Sequence, residues 1–458
     1  MTENGVHIIG VSSCGEEVCA AGGRISTQKG TALEIFARSH DGEKNANLIS
    51  KVTASGHTST VEHIFFNLAF NNVSVVVEQF MIEFRLASFT VKSRRYVDFA
   101  DSGYYVPAWQ DEALRDAYTA HMDILFALYA KLCDAGVPKE DARFVLPYCF
   151  YSNFFCSLGG RELCNVLRAM LFGRGSAYPE IRAIGESLLQ QAKQAAPGVF
   201  RDFEEKNKGY TDLPAFPAFR REESDAPDCA VELLSFDPNA ERNVARAALI
   251  ERCGLPTRQI DKLLEDRSTL KAVLDAVVKS DRPRALESAN FTVRFNNVSL
   301  STLTHFARHR IQSIGIPQLV GCVRENYIIP ASVQNDEALL GAYTDAFTRT
   351  AALYHRLQEA GLPETDLVYV LLSGNVLDFV TTLNARELRL LLKLRTCTRA
   401  QWEIRRFSID LLFRLREVCP LLFASYGPSC VCDGKCPEGR MSCGRMAEMR
   451  ERFGVDAE

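Results

Sequence analysis

Two arginines flank a histidine at Arg308-His309-Arg310, between apolar residues at helical spacing and the breakers Gly315 and Pro317. At a helix-to-loop junction two guanidiniums offer about ten N–H donors to one place, a set suited to phosphate oxygens. The same triplet would also serve as a solvated, charged helix end. In the first half of the chain, Glu83-Phe84-Arg85-Leu86-Ala87-Ser88 runs on to Ser93-Arg94-Arg95-Tyr96. There a hydroxyl and two guanidiniums cluster, a second phosphate cradle or else a surface turn. Further on, Asn384 precedes Glu387 by three residues, a capping-box-like helix start. Arg386 then lies in the first turn and Arg395 about half a revolution around from it. Near the C-terminus, Cys430, Cys432, Cys436 and Cys443 fall within fourteen residues, among glycines and a proline. Their density suits tetrahedral thiolate ligation, zinc first, against reduced thiols in an unstructured tail.

These segments sit on a framework that the chain repeats. Phe70-Asn71-Asn72-Val73-Ser74 recurs 225 residues later as Phe295-Asn296-Asn297-Val298-Ser299. The same offset pairs Ala117-Tyr118-Thr119 with Ala342-Tyr343-Thr344 and Ala127-Leu128-Tyr129 with Ala352-Leu353-Tyr354. It also pairs Ala135-Gly136-Val137-Pro138 with Ala360-Gly361-Leu362-Pro363, and Arg161-Glu162-Leu163 with Arg386-Glu387-Leu388. A period this long means duplication of a whole domain. The expected organisation is a first copy over 1–200, a Pro- and charge-rich linker over 201–228, a second copy over 229–425 and a Cys-rich tail over 426–458. In each copy an alternating stretch, Ile64–Phe70 or Phe291–Phe295, reads as a strand. Ser74 and Ser299 stand where an N-cap would, and a long helix ends at Ala-Gly-x-Pro. Strands among longer helices imply an α+β class, with a curved sheet flanked by helices in each copy.

Composition bounds the function. Of 458 residues, 47% are hydrophobic and 24% charged, which suits a globular protein with a substantial core. A net charge of −4 argues against a general nucleic-acid binder. Lysine supplies 14 of the 53 basic residues and arginine 39, a bias toward the rigid fork that grips phosphate. The first residues contain no basic segment leading into an apolar stretch, so no signal peptide is expected, and no apolar run is long enough for a membrane span. Fifteen cysteines without such a signal read as reduced thiols, which points to the cytoplasm.

The loops resemble the signature of the flavin-dependent thymidylate synthases, Arg-His-Arg-x-x-Ser, four residues, Ser-x-Arg. The second copy matches its front at Arg308, His309, Arg310 and Ser313, but has Gln318 and Val320 where Ser and Arg belong. The first copy fails at the front with Glu83 and Phe84, yet keeps Arg85, Ser88, Ser93 and Arg95. Gly56-His57-Thr58-Ser59-Thr60-Val61-Glu62-His63 is similar to the family's upstream flavin-contacting segment, of which the second copy keeps Glu287. Arg143 matches a nucleotide-binding arginine whose counterpart is Val368. Asn384 through Arg395 to Ala400-Gln401-Trp402-Glu403-Ile404 resembles the family's C-terminal helix, where the first copy has Gly159 for Asn384 and Met170 for Arg395.

The resemblance implies reductive methylation of dUMP at C5, with FAD as cofactor, NADPH as reductant and methylenetetrahydrofolate as methylene donor. It implies sites shared between subunits, and hence a homodimer of fused chains mimicking the family's tetramer, with neither nucleic acid nor membrane as partner. Carried over, Arg308, His309 and Arg310, with Ser59, Glu62, Asn384, Arg386 and Asn165, would hold the flavin. Ser93, Arg94, Arg95 and Arg143, with His305, Arg308 and Arg395, would bind dUMP, and Arg395 would be catalytic. Arg94 departs from the small residue usual there, and Thr90-Val91 replaces an Asn-Glu pair. The alternative is a flavin- or nucleotide-binding paralogue that no longer catalyses.

Overall fold

In a computed structural model of the chain, residues 4–212, 229–319 and 324–454 are described. The strands in chain order are Gly5–Val11 (β1), Phe65–Ser74 (β2), Ser88–Val91 (β3), Tyr151–Gly159 (β4), Val231–Phe236 (β5), Asn290–Ser299 (β6), Gln312–Gly315 (β7), Arg324–Tyr327 (β8) and Asn375–Asn384 (β9). The helices that matter below begin with Val75–Ile82 (α1), Glu112–Asp134 (α2), Gly160–Leu171 (α3) and Pro179–Ala195 (α4). They continue with Leu300–Ala307 (α5), Glu337–Glu359 (α6), Ala385–Arg395 (α7) and Trp402–Val418 (α8).

The two repeats build the same antiparallel path, β1-β2-β4-β3 in the first and β5-β6-β9-β7 in the second. Alternation decides which face is buried: Phe66, Leu68 and Phe70 point into one core, Phe291, Val293 and Phe295 into the other. The repeated Phe-Asn-Asn-Val-Ser has a backbone reason. The strand register slips between Phe70 and Val73, and again between Phe295 and Val298. Asn72 and Asn297 absorb the slip at φ 45° and 54°, the left-handed region that asparagine tolerates better than most residues. A side chain on the partner strand holds each bulge: Asn72 N–H donates to Asn153 Oδ1 at 3.0 Å, and Asn297 N–H to Asp378 Oδ1 at 2.8 Å.

Ser74 and Ser299 are the N-caps expected, accepting from Val77 N–H and Thr302 N–H. Each hydroxyl also donates to a buried carboxylate at 2.5 Å, Glu180 on α4 or Glu403 on α8, and the serine N–H donates to the same carboxylate. These capped turns fix α1 and α5, whose C-terminal ends lead into the signature loops. α2 and α6 stop at Gly136 (φ 86°) and Gly361 (φ 79°), the left-handed glycines read from Ala-Gly-x-Pro.

Packing divides the chain differently from the repeat. One compact unit holds Met1–Arg221 with Leu319–Asn375, the other Glu222–Gln318 with Val376–Glu458. The central segment of the second repeat therefore belongs with the first. There α6 meets α2, with His121 Nε2 2.8 Å from Thr350 Oγ1, and Trp109 Nε1 donates to Asp366 Oδ2 at 2.8 Å. Ser332 Oγ donates to Asp141 Oδ2 at 2.6 Å. Of the stretch 201–228, Phe203–Asn207 is a short helix with Phe203 buried beside Phe200 and Phe172. Residues 213–228, the rest of the expected linker, lie outside the described residues.

Candidate functional site

The Arg-His-Arg triplet splits as α5 ends. Arg308 and Arg310 are exposed, whereas His309 turns inward and keeps 5% of its surface. Its Nδ1 lies 3.0 Å from Glu387 Oε1, and Arg395 Nε donates to its Nε2 at 3.1 Å. An arginine N–H can only donate, so Nε2 is the bare nitrogen and Nδ1 carries the proton given to Glu387. Burial lowers the pKa of His309, and the charge of Arg395 lowers it further, against the opposing pull of Glu387. The ring is therefore a neutral strut between an acid and a guanidinium. Arg395 Nη2 also donates to the carbonyl of His305 at 3.4 Å, which ties the last turn of α7 to the last turn of α5. Gln312 reinforces the loop, donating to Phe306 O at 2.6 Å and accepting from Thr381 Oγ1 at 2.8 Å.

Asn384 caps α7, accepting from Glu387 N–H at 2.9 Å. The reciprocal half of the expected capping box does not form, because the Glu387 side chain is turned to His309. Sequence reasoning assigned Glu387 to the cap and missed that pairing; its spacing from Asn384 carries no trace of a partner 78 residues away. Arg386 Nη1 donates to Glu287 Oε1 at 2.5 Å, and in the first repeat Arg161 Nη1 donates to Glu62 Oε1 at 2.7 Å. The carboxylate expected to face the flavin and the first-turn arginine of the following helix are thus one ion pair, present twice. Asn384, Arg386 and Glu287 line a cleft of about 770 Å³, with Ile311, Arg389 and Lys393 among its other walls. Ser59, in a short helical turn of the first repeat, is exposed.

The first repeat holds the residues expected to bind the nucleotide. Arg95 Nε donates to Glu140 Oε2 at 2.7 Å, and Arg143 Nε, nearly buried, donates to Glu140 O at 3.1 Å. Ser93 Oγ accepts from Arg95 N–H at 3.3 Å. Arg95 and Arg143 therefore meet at Glu140, with Ser93 on the turn that carries Arg95. Arg94 points elsewhere: it is 7% exposed, paired with the fully buried Glu78 and set over the Phe150 ring, while Ser152 Oγ donates to the same carboxylate at 2.5 Å. Its charge is committed to the core, which answers why an arginine is tolerated there. At the corresponding second-repeat positions stand Leu303 and Leu319.

The counterpart of the His309–Glu387–Arg395 set in the first repeat is Phe84, Glu162 and Met170. Phe84 packs edge-on to Phe80, Met170 is fully buried, and Glu162 accepts from Asn165 Nδ2 at 2.8 Å. Asn165 Oδ1 in turn accepts from Arg168 at 2.5 Å. Glu83, in the place of Arg308, forms an ion pair with Arg174 at 3.1 Å, and burial raises its pKa. At the second-repeat positions matching Arg143, Ser93 and Arg95, Val368 is buried, Gln318 is exposed and Val320 lies outside the described residues.

Among the described residues no group of three or more His, Cys, Asp or Glu side chains is arranged to hold a metal ion. The tail cysteines expected as ligands, Cys430, Cys432, Cys436 and Cys443, are free thiols, and Cys432 Sγ donates to the Gly427 carbonyl at 3.0 Å. Among the described residues no helix is long and apolar enough to cross a membrane.

Two α+β repeats with matching bulges, caps and ion pairs define a duplicated domain, and comparison with known proteins gives the family. The family model described as thymidylate synthase complementing protein matches residues 8–198 and again 232–421. The chain belongs to that family and carries its domain twice. The flavin-dependent thymidylate synthase of Geobacter sulfurreducens is 33% identical over 229 residues, spanning 49% of this chain and 97% of the relative. That of Clostridium tetani is 31% identical over 241 residues, spanning 49% and 96%. Such relatives have about the length of one repeat. Among solved structures, a UMP/dUMP methylase, PolB from Streptomyces cacaoi bound with 5-Br dUMP, aligns over 45% of this chain and 96% of its own, at 20% identity and a TM-score of 0.39.

Proposed function

We propose that the protein is an FAD-dependent thymidylate synthase that methylates dUMP to dTMP with methylenetetrahydrofolate and NADPH, working in the cytoplasm as a homodimer. The observation that carries this reading is the division of labour between the repeats. The second keeps a fully hydrogen-bonded His309–Glu387–Arg395 set where the first has Phe84 and Met170. The first keeps Arg95 and Arg143 together on Glu140, with Ser93 beside Arg95, where the second has Gln318, Val320 and Val368. A merely decayed copy would have no reason to spare complementary halves.

The donor set of the second-repeat cleft fits a flavin dinucleotide: cationic Arg389 and Lys393 for its pyrophosphate, Arg386 and the Asn384 amide for polar edges, and Ile311 and Leu390 as apolar wall. When bound and reduced by NADPH, FAD would supply the two electrons that turning the transferred methylene into a methyl group requires. Arg308 and Arg310, outward on the same loop, present guanidiniums to phosphate. Arg395 holds a fixed positive charge whose role is to favour the N3-deprotonated pyrimidine, which raises electron density at C5. His309 is a positioning residue: with one nitrogen given to Glu387 and the other taken by Arg395, it sets the direction of that guanidinium. Arg95 and Arg143 bind the dUMP phosphate.

By residue content each chain supplies one flavin-side set and one nucleotide-side set. Saturating titration is expected to find one FAD and one dUMP per 458-residue chain, and light scattering a mass near twice 51.1 kDa. The decisive assay is tritium release from C5-labelled dUMP, dependent on NADPH and methylenetetrahydrofolate. Release without turnover of folate, or no release from flavin-loaded protein, would remove the enzymatic reading and leave the binding paralogue.

A further inference from the structure

We propose that Arg389 and Lys393 form an anion subsite for a phosphoryl group in the second-repeat cleft, with the tail carboxylate of Asp433 as its built-in competitor. The two cations stand four residues apart on α7, so they share one face of the helix, and both line the cleft beside Arg386 and Asn384. Asp433, which follows the short helix Ser429–Cys432, reaches them from outside the region matched by the family model. Its Oδ2 is 2.5 Å from Lys393 Nζ, and its Oδ1 is 3.7 Å from Arg389 Nη2.

That occupant satisfies the lysine and leaves the arginine short. At 3.7 Å the guanidinium is attracted to the carboxylate but not hydrogen-bonded to it. Arg389 Nε is buried with no hydrogen-bond partner, an orphan donor of the kind that native structures keep few of. Side chains of Arg389 and Lys393 are 21% and 20% exposed, so their charges are felt more strongly than in open solvent. A carboxylate brings two oxygens on one carbon, and one is taken by Lys393. A phosphoryl group brings three oxygens around a tetrahedral centre, enough to meet the ammonium and both edges of the guanidinium.

The remaining cleft charges include two that are already committed: Arg386 is paired with Glu287, and Glu387 with His309. Lys279 and Asp281 complete the charged lining. The first repeat has no equivalent pair, since Cys164 and Arg168 stand at these positions and Arg168 is bound to Asn165. A phosphoryl ligand entering the second-repeat cleft must displace Asp433, so the tail reports on and opposes its arrival. The subsite rests on the reading of this cleft as the flavin side only for the identity of the ligand, not for its charge chemistry.

The test uses the full-length protein and inorganic pyrophosphate, titrated by calorimetry, with FAD and riboflavin followed by quenching of flavin fluorescence. Asp433→Asn is expected to tighten pyrophosphate binding about tenfold, the size of one partly shielded charge contact. The double variant Arg389→Gln, Lys393→Gln is expected to weaken it about tenfold and to erase the effect of Asp433→Asn, as coupled groups do in a mutant cycle. If the source of the phosphoryl group is the dinucleotide, FAD shifts with pyrophosphate while riboflavin, which has no phosphate, does not. If pyrophosphate and NADP⁺ shift and FAD does not, the subsite stands and serves the nicotinamide nucleotide. Unchanged pyrophosphate affinity in Asp433→Asn, with an unchanged thermal midpoint, overturns the proposal. Since pyrophosphate binding needs neither flavin nor turnover, its response with no dUMP methylation would sink the proposed function alone.

Discussion

Replacing Arg395 by methionine installs in the second repeat the residue that occupies the same place in the first. The structure gives the consequences in order. His309 Nε2 loses the donor at 3.1 Å and becomes a buried acceptor without a partner, at a cost of about 1–3 kcal/mol of stability. The His305 carbonyl loses its contact with α7 as well. The nearby charge that helped to hold His309 neutral is also gone, while Glu387 remains, so the pKa of the imidazole rises. Part of the lost stability should therefore return in acid, where a protonated ring no longer needs an acceptor's donor. Denaturant unfolding at about pH 7.5 and about pH 5.5 reads both effects. Turnover is expected to fall by about two to three orders of magnitude, the usual loss when one positioned charge leaves a closed site. Flavin binding is expected to persist. The control is Met170→Leu: Met170 is fully buried, so Met170→Ala would confound stability with function, whereas the volume-conserving change costs less than about 1.5 kcal/mol. Tritium release within about threefold of wild type in Arg395→Met, or equal damage from Met170→Leu, would refute the assignment of working and vestigial positions.

Three other outcomes follow from the same geometry. Glu78→Leu or Arg94→Leu alone leaves one buried charge without its partner and should cost about 3–5 kcal/mol, while the double variant, which copies Leu303 and Leu319, should regain most of it; a double mutant as unstable as the sum of the singles would contradict this. Asn297→Ala, forced to φ 54°, should lose about 1–2 kcal/mol by thermal unfolding and Asn297→Gly markedly less, whereas equal losses would place the cost elsewhere. Because the folded pKa of His309 is depressed, its contribution to stability is present above the unfolded histidine value and is lost as pH falls below it. Wild type should thus lose more stability than His309→Asn between about pH 7.5 and about pH 5.5, and parallel losses would show that His309 is not held neutral.

The sequence determined the duplication, the α+β class and the chemistry available at each repeat. Identity at one spacing is enough to show a repeated domain, and residue types alone show which half lacks a cation. It also determined local turns, because an N-cap serine and a helix-ending glycine act within a few residues of themselves. Tertiary structure decided the pairings. Glu387 reads as half of a capping box, but its carboxylate goes to a histidine at the end of another helix, since a buried imidazole needs that partner more than a half-buried N-cap does. Arg94 reads as a phosphate ligand, yet Glu78 sixteen residues away holds it in the core. Arg389 and Lys393 show nothing in the sequence until the tail brings Asp433 onto them. The repeat boundary itself differs from the packing boundary, because α6 buries its apolar face against α2 of the other repeat. Contacts between residues distant in sequence are set by which surfaces the fold presses together, and a linear pattern carries no record of that.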